Sequence, residues 1–102
     1  MNKRLAMLES LTSSGKADAF AWYGLALEYR REGRGPDALA TFEKLRVLHP
    51  DYLPMYLMAG QLLLGEARSE DAKAWLQAGI DVARKQGNAH ALGELEAALA
   101  NA

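Results

Sequence analysis

One stretch of this sequence recurs, in altered form, 34 residues further along the chain. Residues 32–40, EGRGPDALA, return as residues 66–74, EARSEDAKA, with five of the nine positions identical. Both copies lie between stretches whose apolar residues follow the helical period. A fixed period of this length is typical of a helix-turn-helix unit that is used twice and stacked. The repeat therefore predicts a helical stack, and with it a binding surface.

The composition argues against several classes of protein. With 102 residues, half of them apolar and a quarter charged, the chain suits one small globular domain. A net charge of −1 argues against nucleic-acid binding, which needs a large positive excess. The absence of cysteine excludes disulfides, thiolate metal sites and a cysteine nucleophile. The most apolar window, residues 52–65, is too short to span a bilayer, so we expect a cytoplasmic protein.

Helix-starting and helix-ending residues divide the chain into six predicted helices. Asp18, Asp51 and Asn88 can cap helices, and Pro36 suits a first turn, where its missing N–H costs nothing. Glycines end several of the predicted helices, and the third ends before Pro50, because the residue before a proline disfavours the helical conformation. The predicted helices cover residues 2–13, 18–32, 36–48, 51–65, 69–86 and 88–102. Because no stretch has the period of a strand and the connections are short, we predict an all-α fold with antiparallel neighbours.

Aligning the two copies shows a set of residues that alternates large and small side chains. Large residues can grip a partner helix, and small ones between them allow close backbone approach. In residues 19–52 the set is Trp22, Leu25, Ala26, Tyr29, Ala38, Phe42 and Pro50. This order resembles the signature of the tetratricopeptide repeat. Residues 53–86 keep the signature at Tyr56, Gly60 and Ala72, and depart from it at Leu63, Leu76 and Arg84.

The resemblance implies a right-handed superhelical stack of paired helices in a single domain, residues 1–102. Residues 19–52 form the first repeat and residues 53–86 the second. A stack needs a terminal helix at each end to hide its last apolar face. We expect residues 2–13 and 88–102 to be these capping helices.

The second helix is apolar on two opposite sides, whereas an ordinary surface helix has one apolar stripe. Phe20, Tyr23 and Leu27 lie opposite the signature residues on a helical wheel. In the tetratricopeptide family, this side of the first helix of each pair lines a concave groove. The resemblance therefore implies a partner-binding groove lined by Phe20, Tyr23, Leu27, Arg30, Arg31, Leu57, Met58, Gln61 and Leu64.

Three interpretations of this apolar groove stay open. It can dock an apolar or amphipathic segment of a partner protein, with Met58 packing adaptably and Arg30 or Arg31 pairing with an acid. It can bind a second copy of the chain, which makes the protein a homodimer. It can also be covered by a terminal helix of the same chain.

Two other partners are not expected. Some family members hold the C-terminal carboxylate of a chaperone with lysine, arginine and asparagine, but here Tyr23, Gly24 and Leu27 occupy the corresponding positions. Those groups cannot hold a carboxylate. The one basic cluster, residues 30–34, is typical of a helix C-terminus, where the dipole favours cations. Nucleic acid is therefore the weakest of the candidate partners.

No pattern in the sequence points to catalysis, a cofactor or a metal. His49 and His90 lack the spacing of metal ligands. The hydroxyl groups have no histidine and acid context that would make a nucleophile. Glu94 and Glu96 cannot face one another on a helix. We therefore predict a non-enzymatic adaptor or scaffold that binds protein or peptide.

Overall fold

The computed structural model describes residues 2–102, which form six α-helices and no strand. The helices are α1 (Lys3–Ser13), α2 (Ala19–Arg31), α3 (Gly35–Leu48), α4 (Pro54–Gly65), α5 (Ser69–Gln86) and α6 (Ala89–Ala100). The all-α prediction is confirmed. Within the described range, none of these helices combines the length and apolar character needed to cross a bilayer.

The chain divides into two compact units, Met1–Tyr52 with α1 to α3 and Leu53–Ala102 with α4 to α6. In the first unit α2 packs against both α1 and α3, and in the second α5 packs against both α4 and α6. The division falls where the first predicted repeat ends. That the whole of 1–102 acts as a single domain stays a prediction.

Asparagine and aspartate caps start three of the helices. Asn2 accepts a hydrogen bond from the N–H of Leu5 at 3.0 Å, and Asp18 accepts one from Ala21 at 2.8 Å. Asn88 does the same at the start of α6. Each cap satisfies one of the backbone donors that the first helical turn leaves unpaired. The caps explain why the bounds of these helices are readable from the sequence.

The predicted Asp51 cap of α4 is wrong. The helix begins at Pro54, and its N-cap residue is Leu53, which makes no side-chain cap hydrogen bond to the described residues. Proline at the first helical position has no N–H to satisfy and already holds a helical φ. The start of α4 is therefore set by Pro54, and Asp51 lies too early in the chain to cap it.

The 34-residue repeat is visible as a recurring hydrogen-bond pattern at the ends of α2 and α4. The N–H of Arg34 donates to the carbonyl of Tyr29 at 2.8 Å, and the N–H of Arg68 donates to the carbonyl of Leu63 at 2.9 Å. Each bond closes a six-residue Schellman turn, which satisfies a carbonyl left unpaired at the helix end. The same turn therefore stops the first helix of both repeats.

The residue that turns the chain at these two helix ends lies in the left-handed region. Gly33 has φ +74°, and Ala67, at the matching position of the second repeat, has φ +58°. Glycine adopts this conformation without strain, whereas the Cβ of alanine crowds the backbone there. The second repeat thus keeps the turn with a less suitable residue.

A second recurring contact follows each turn. The guanidinium of Arg34 binds the carboxylate of Asp37 at 2.8 Å, and that of Arg68 binds Asp71 at 2.7 Å. Both acids lie in the first turn of the following helix, where the helix dipole favours negative charge. Two of the identical residues of the repeat, the arginine and the aspartate, therefore make the same local contact in both copies.

Close packing in the second unit depends on glycine. A Cβ on Gly60 would lie 2.6 Å from Cδ2 and 2.8 Å from Cγ of Leu76. One on Gly79 would lie 2.6 Å from Cβ of Tyr56 and 2.9 Å from Cδ2 of Leu95. Real Cβ atoms essentially never come so close to another heavy atom. At Gly60, the small residue of the signature therefore allows α4 and α5 to approach, as the pattern predicts.

In the first unit, α1 packs on α2 through a small apolar cluster. Leu5, Leu8 and Leu25 are its buried members, and the partly buried Trp22 and Tyr29 pack against them. These α2 residues belong to the signature side. The signature side of α2 therefore packs against α1.

Candidate interaction surface

Five of the residues predicted to bind a partner lie on one side of α2, which we call the α2 face: Phe20, Tyr23, Leu27, Arg30 and Arg31. Their spacing places all of them within about one third of the helix circumference. Phe20 is 68% exposed, Tyr23 and Leu27 are half-buried, and both arginines are exposed. An aromatic side chain that exposed is the kind of group that interfaces bury.

Tyr23 connects the α2 face to the rest of its unit. Its ring lies 6.4 Å from that of Phe42 on α3 and 5.4 Å from that of Tyr52, both in tilted geometry. Pairs of this kind contribute about 0.5–1.5 kcal/mol beyond the area they bury. Tyr52 was not among the predicted residues, because its contact with Tyr23 joins positions far apart in the sequence. The aromatic part of the face is therefore held in place before any partner arrives.

Both phenols of this pair stay protonated at neutral pH. Burial raises the pKa of Tyr23, Tyr52 raises it further, and the positive charge of Arg30 lowers it. Burial also raises the pKa of Tyr52, with a further contribution from the carboxylate of Asp18. A protonated phenol donates a hydrogen bond and accepts another. The two tyrosines thus add polar handles to an apolar surface.

An open depression of about 310 Å³ is lined by Leu27, Arg30 and Arg31, at the C-terminal end of α2. Arg31 donates from Nη1 to Oε1 of Glu28 at 3.0 Å. The Arg31 side chain is nevertheless 71% exposed. The depression therefore combines an aliphatic wall with two guanidinium groups that reach solvent.

Glu28 is the buried charge behind this depression. It is 3% exposed, and its Oε1 also lies 3.1 Å from Nε of Arg4 on α1. Its Oε2 accepts a hydrogen bond from Nδ2 of Asn2 at 3.1 Å. A buried carboxylate is stable only when its oxygens are paired in this way. Glu28 therefore fastens α1 to α2 and holds Arg31 at the edge of the depression.

Sequence reasoning did not single out Glu28. A carboxylate three positions after the buried Leu25 is a usable signal, because a charge on a packed side of a helix needs partners. Those partners include Arg4, which comes from another helix. Their pairing is a property of the folded unit.

Arg34 does not belong to the α2 face. Its guanidinium lies 4.5 Å from the centre of the Tyr29 ring, in cation–π geometry, and binds Asp37. The Tyr29 hydroxyl in turn donates to Oε2 of Glu9 at 2.6 Å. That hydrogen bond, with burial, raises the pKa of Tyr29 to about 12. Arg34 therefore lies in a different environment from Arg30 and Arg31, although the three form one basic cluster in the sequence.

The predicted residues of the second unit lie on α4. Leu57, Met58 and Leu64 are half-buried and Gln61 is exposed. The signature residues of the same helix are buried: Tyr56, Ala59, Gly60 and Leu63. The helix therefore has a packed side and a more accessible side. That the accessible residues of α2 and α4 line one groove stays a prediction.

Among residues 2–102 there is no group of three or more histidine, cysteine or carboxylate side chains placed to hold a metal ion. His90 lies beside Glu94, with Nε2 and Oε1 3.4 Å apart. This pair spans one turn of α6 and lies on an exposed surface.

Comparison with known proteins identifies relatives of this chain. The family model for the tetratricopeptide repeat matches residues 19–62. The crystal structure of a tetratricopeptide repeat domain protein from Salinibacter ruber is 36% identical, with 83% of this chain and 94% of that chain covered and a TM-score of 0.77. A solution structure of a tetratricopeptide repeat domain protein from the same organism is 37% identical, with 82% and 85% covered and a TM-score of 0.78.

A more distant likeness extends over nearly the whole chain. The solution structure of a protein from Bordetella parapertussis has a TM-score of 0.83 at 20% identity, with 99% of this chain and 88% of that chain covered. At that identity the match shows a shared fold alone. No curated protein sequence matches this chain.

Proposed function

Because this chain belongs to the tetratricopeptide repeat family, we propose that it is a protein-interaction module, an adaptor or scaffold that performs no catalysis itself. Its partner is a protein or peptide with an apolar or amphipathic segment. The proposal places binding on the α2 face, and extends it to Leu57, Met58, Gln61 and Leu64 of the second unit. We further propose a cytoplasmic location, with no cofactor, no nucleic acid and no chaperone tail as ligand.

The observation that carries the proposal is the exposure of Phe20 beside a fixed aromatic pair. A phenylalanine that is 68% exposed leaves much of its apolar area in contact with water. Transfer of such area from water to a partner is favourable by about 25 cal/mol per Å². Tyr23 and Tyr52 are already packed together, so a partner orders few side chains on this protein when it binds.

A peptide-display selection on the full chain tests the proposal. Peptides that bind the wild type should lose about thirtyfold or more in affinity for Phe20→Ser, because truncating a buried aromatic anchor costs about 2 kcal/mol or more. Val47→Ser is the matched control. Val47 is 77% exposed on α3, so both substitutions remove an exposed apolar side chain from a helix. Equal affinity of the selected peptides for wild type and Phe20→Ser would show that the α2 face does not bind them.

Self-association is the second candidate function. The large hydrophobic residues that are exposed in the described chain, Met7, Phe20, Val47 and Leu48, all lie in the first unit. Apolar side chains gathered on one unit also suit contact with a second copy. Light scattering over a concentration series separates the two functions. The adaptor predicts the mass of one chain, 11.1 kDa, and the homodimer predicts twice that mass with a return to one chain in Phe20→Ser.

A further inference from the structure

The chemical character of the α2 face changes in order along the helix. Aromatic groups lie at its N-terminal end, where Phe20 is exposed and Tyr23 packs on Tyr52. Leu27 follows one turn later, and the arginines end the face. A partner that covers the whole face must therefore match an apolar end and a positively charged end.

The charged end favours an anionic group. Two guanidinium groups, those of Arg4 and Arg31, pair with the single carboxylate of Glu28, and Arg30 also lines the depression. The carboxylate of Glu28 is buried, whereas the guanidinium of Arg31 is mostly in solvent, so the positive groups face outward. A guanidinium can donate two parallel hydrogen bonds to a carboxylate. An acid of the partner therefore complements this end.

The length of the helix sets the distance between the two ends. Phe20 and Arg30 are ten positions apart, which corresponds to about 15 Å at 1.5 Å per residue of α-helix. An extended peptide spans that distance with about four to five residues, at roughly 3.3 Å each. A bound segment thus has a defined spacing between its apolar and acidic side chains.

We infer that the α2 face recognises an extended acidic segment in which a large apolar residue and a carboxylate are four or five positions apart. The inference rests on the proposed function and specifies its partner. The apolar side chain packs on Phe20 and Tyr23, and the carboxylate accepts hydrogen bonds from Arg30 and Arg31 in the depression beside Leu27. Glu28 is a positioning residue, because it holds Arg31 in place without reaching the ligand.

Terminally blocked peptides on a serine-glycine background test the inference by NMR titration of the full chain. The first peptide carries a phenylalanine and a glutamate four positions apart, and it is made in both orders, with the phenylalanine before or after the glutamate. The second has the two residues adjacent, and the third has glutamine in place of glutamate. We expect the first peptide to shift backbone amides at both ends of α2 and to bind up to about fivefold tighter than the others, the range of an exposed ion pair.

Two variants test whether Arg30 causes the preference for the glutamate peptide. Arg30→Gln should weaken the preference for glutamate over glutamine, because only Arg31 is then left to bind the carboxylate. Arg46→Gln, which changes an exposed arginine of α3, should leave the preference intact. If the glutamate and glutamine peptides shift the α2 amides with equal affinity, the acidic partner is wrong and the proposed function stands. If the adjacent spacing binds as well as the separated one, the predicted spacing is wrong. If no peptide shifts the α2 amides at several millimolar, the inference and the docking surface fall together.

Discussion

Replacing Gly60 by alanine should destabilise the protein even though alanine is the better helix former. The added Cβ would lie 2.6 Å from Cδ2 and 2.8 Å from Cγ of Leu76. Leu76 is fully buried, so its branch point has no free space to move into and the two helices must separate. Overpacking of this kind costs about 1–3 kcal/mol. Alanine offsets this cost by about 1 kcal/mol of helix propensity, which leaves a net loss of up to about 2 kcal/mol.

Gly93→Ala is the matched control, since it makes the same change where the described structure leaves open space around the added Cβ. It should stabilise α6 by about 0.5–1 kcal/mol. Urea denaturation, monitored by tryptophan fluorescence, measures the stability of both variants. A Trp22→Phe background leaves Trp75 as the reporter of the second unit. If Gly60→Ala raises the urea midpoint as Gly93→Ala does, the close approach of α4 and α5 is not as described.

Three further predictions concern single contacts. Gly33→Ala should lower the free energy of unfolding by about 1 kcal/mol, and Ala67→Gly should leave it unchanged or raise it, because both positions have positive φ. Urea midpoints of the two variants that move in the same direction would contradict this. By ultraviolet absorbance against Tyr29→Phe, Tyr29 should titrate near pH 12, and Glu9→Gln should lower that pKa. Because the pKa of Tyr29 is raised in the folded state, its hydrogen bond to Glu9 stabilises the protein fully below pH 10, the unfolded value, and this stabilisation is lost as pH rises towards 12. An unchanged pKa of Tyr29 in Glu9→Gln would refute the hydrogen bond. Glu28→Gln should reduce stability by about 1–2 kcal/mol, measured by thermal unfolding, and a neutral effect would mean that its ion pairs are not needed.

Much of the fold could be predicted because its determinants are local. Asp18 and Asn88 cap helices through backbone groups three positions away, and Gly87 ends α5 with positive φ. The repeat register adds a second constraint, since the Schellman turn of one unit recurs in the other. The Asp51 cap failed because Pro54 sets the start of α4 without a side-chain acceptor.

The candidate surface was predicted less completely, because its details depend on contacts between distant positions. The wheel placed Tyr23 on an open side of α2, and the structure adds its packing on Phe42 and Tyr52. Arg30 or Arg31 was expected to pair with an acid of a partner, and in the folded unit Arg31 already pairs with Glu28. Helical periodicity shows which side a residue lies on. It does not show what another helix brings to that side.

Site-directed crosslinking tests most directly whether the α2 face is the docking surface. The chain contains no cysteine, so Phe20→Cys and Val47→Cys each provide a single attachment point for a photoactivated crosslinker. The probe is a peptide selected on the wild-type chain. If the α2 face is the docking surface, crosslinking is efficient from position 20 and does not exceed background from position 47. Equal crosslinking from both positions, or crosslinking from position 47 alone, would contradict it.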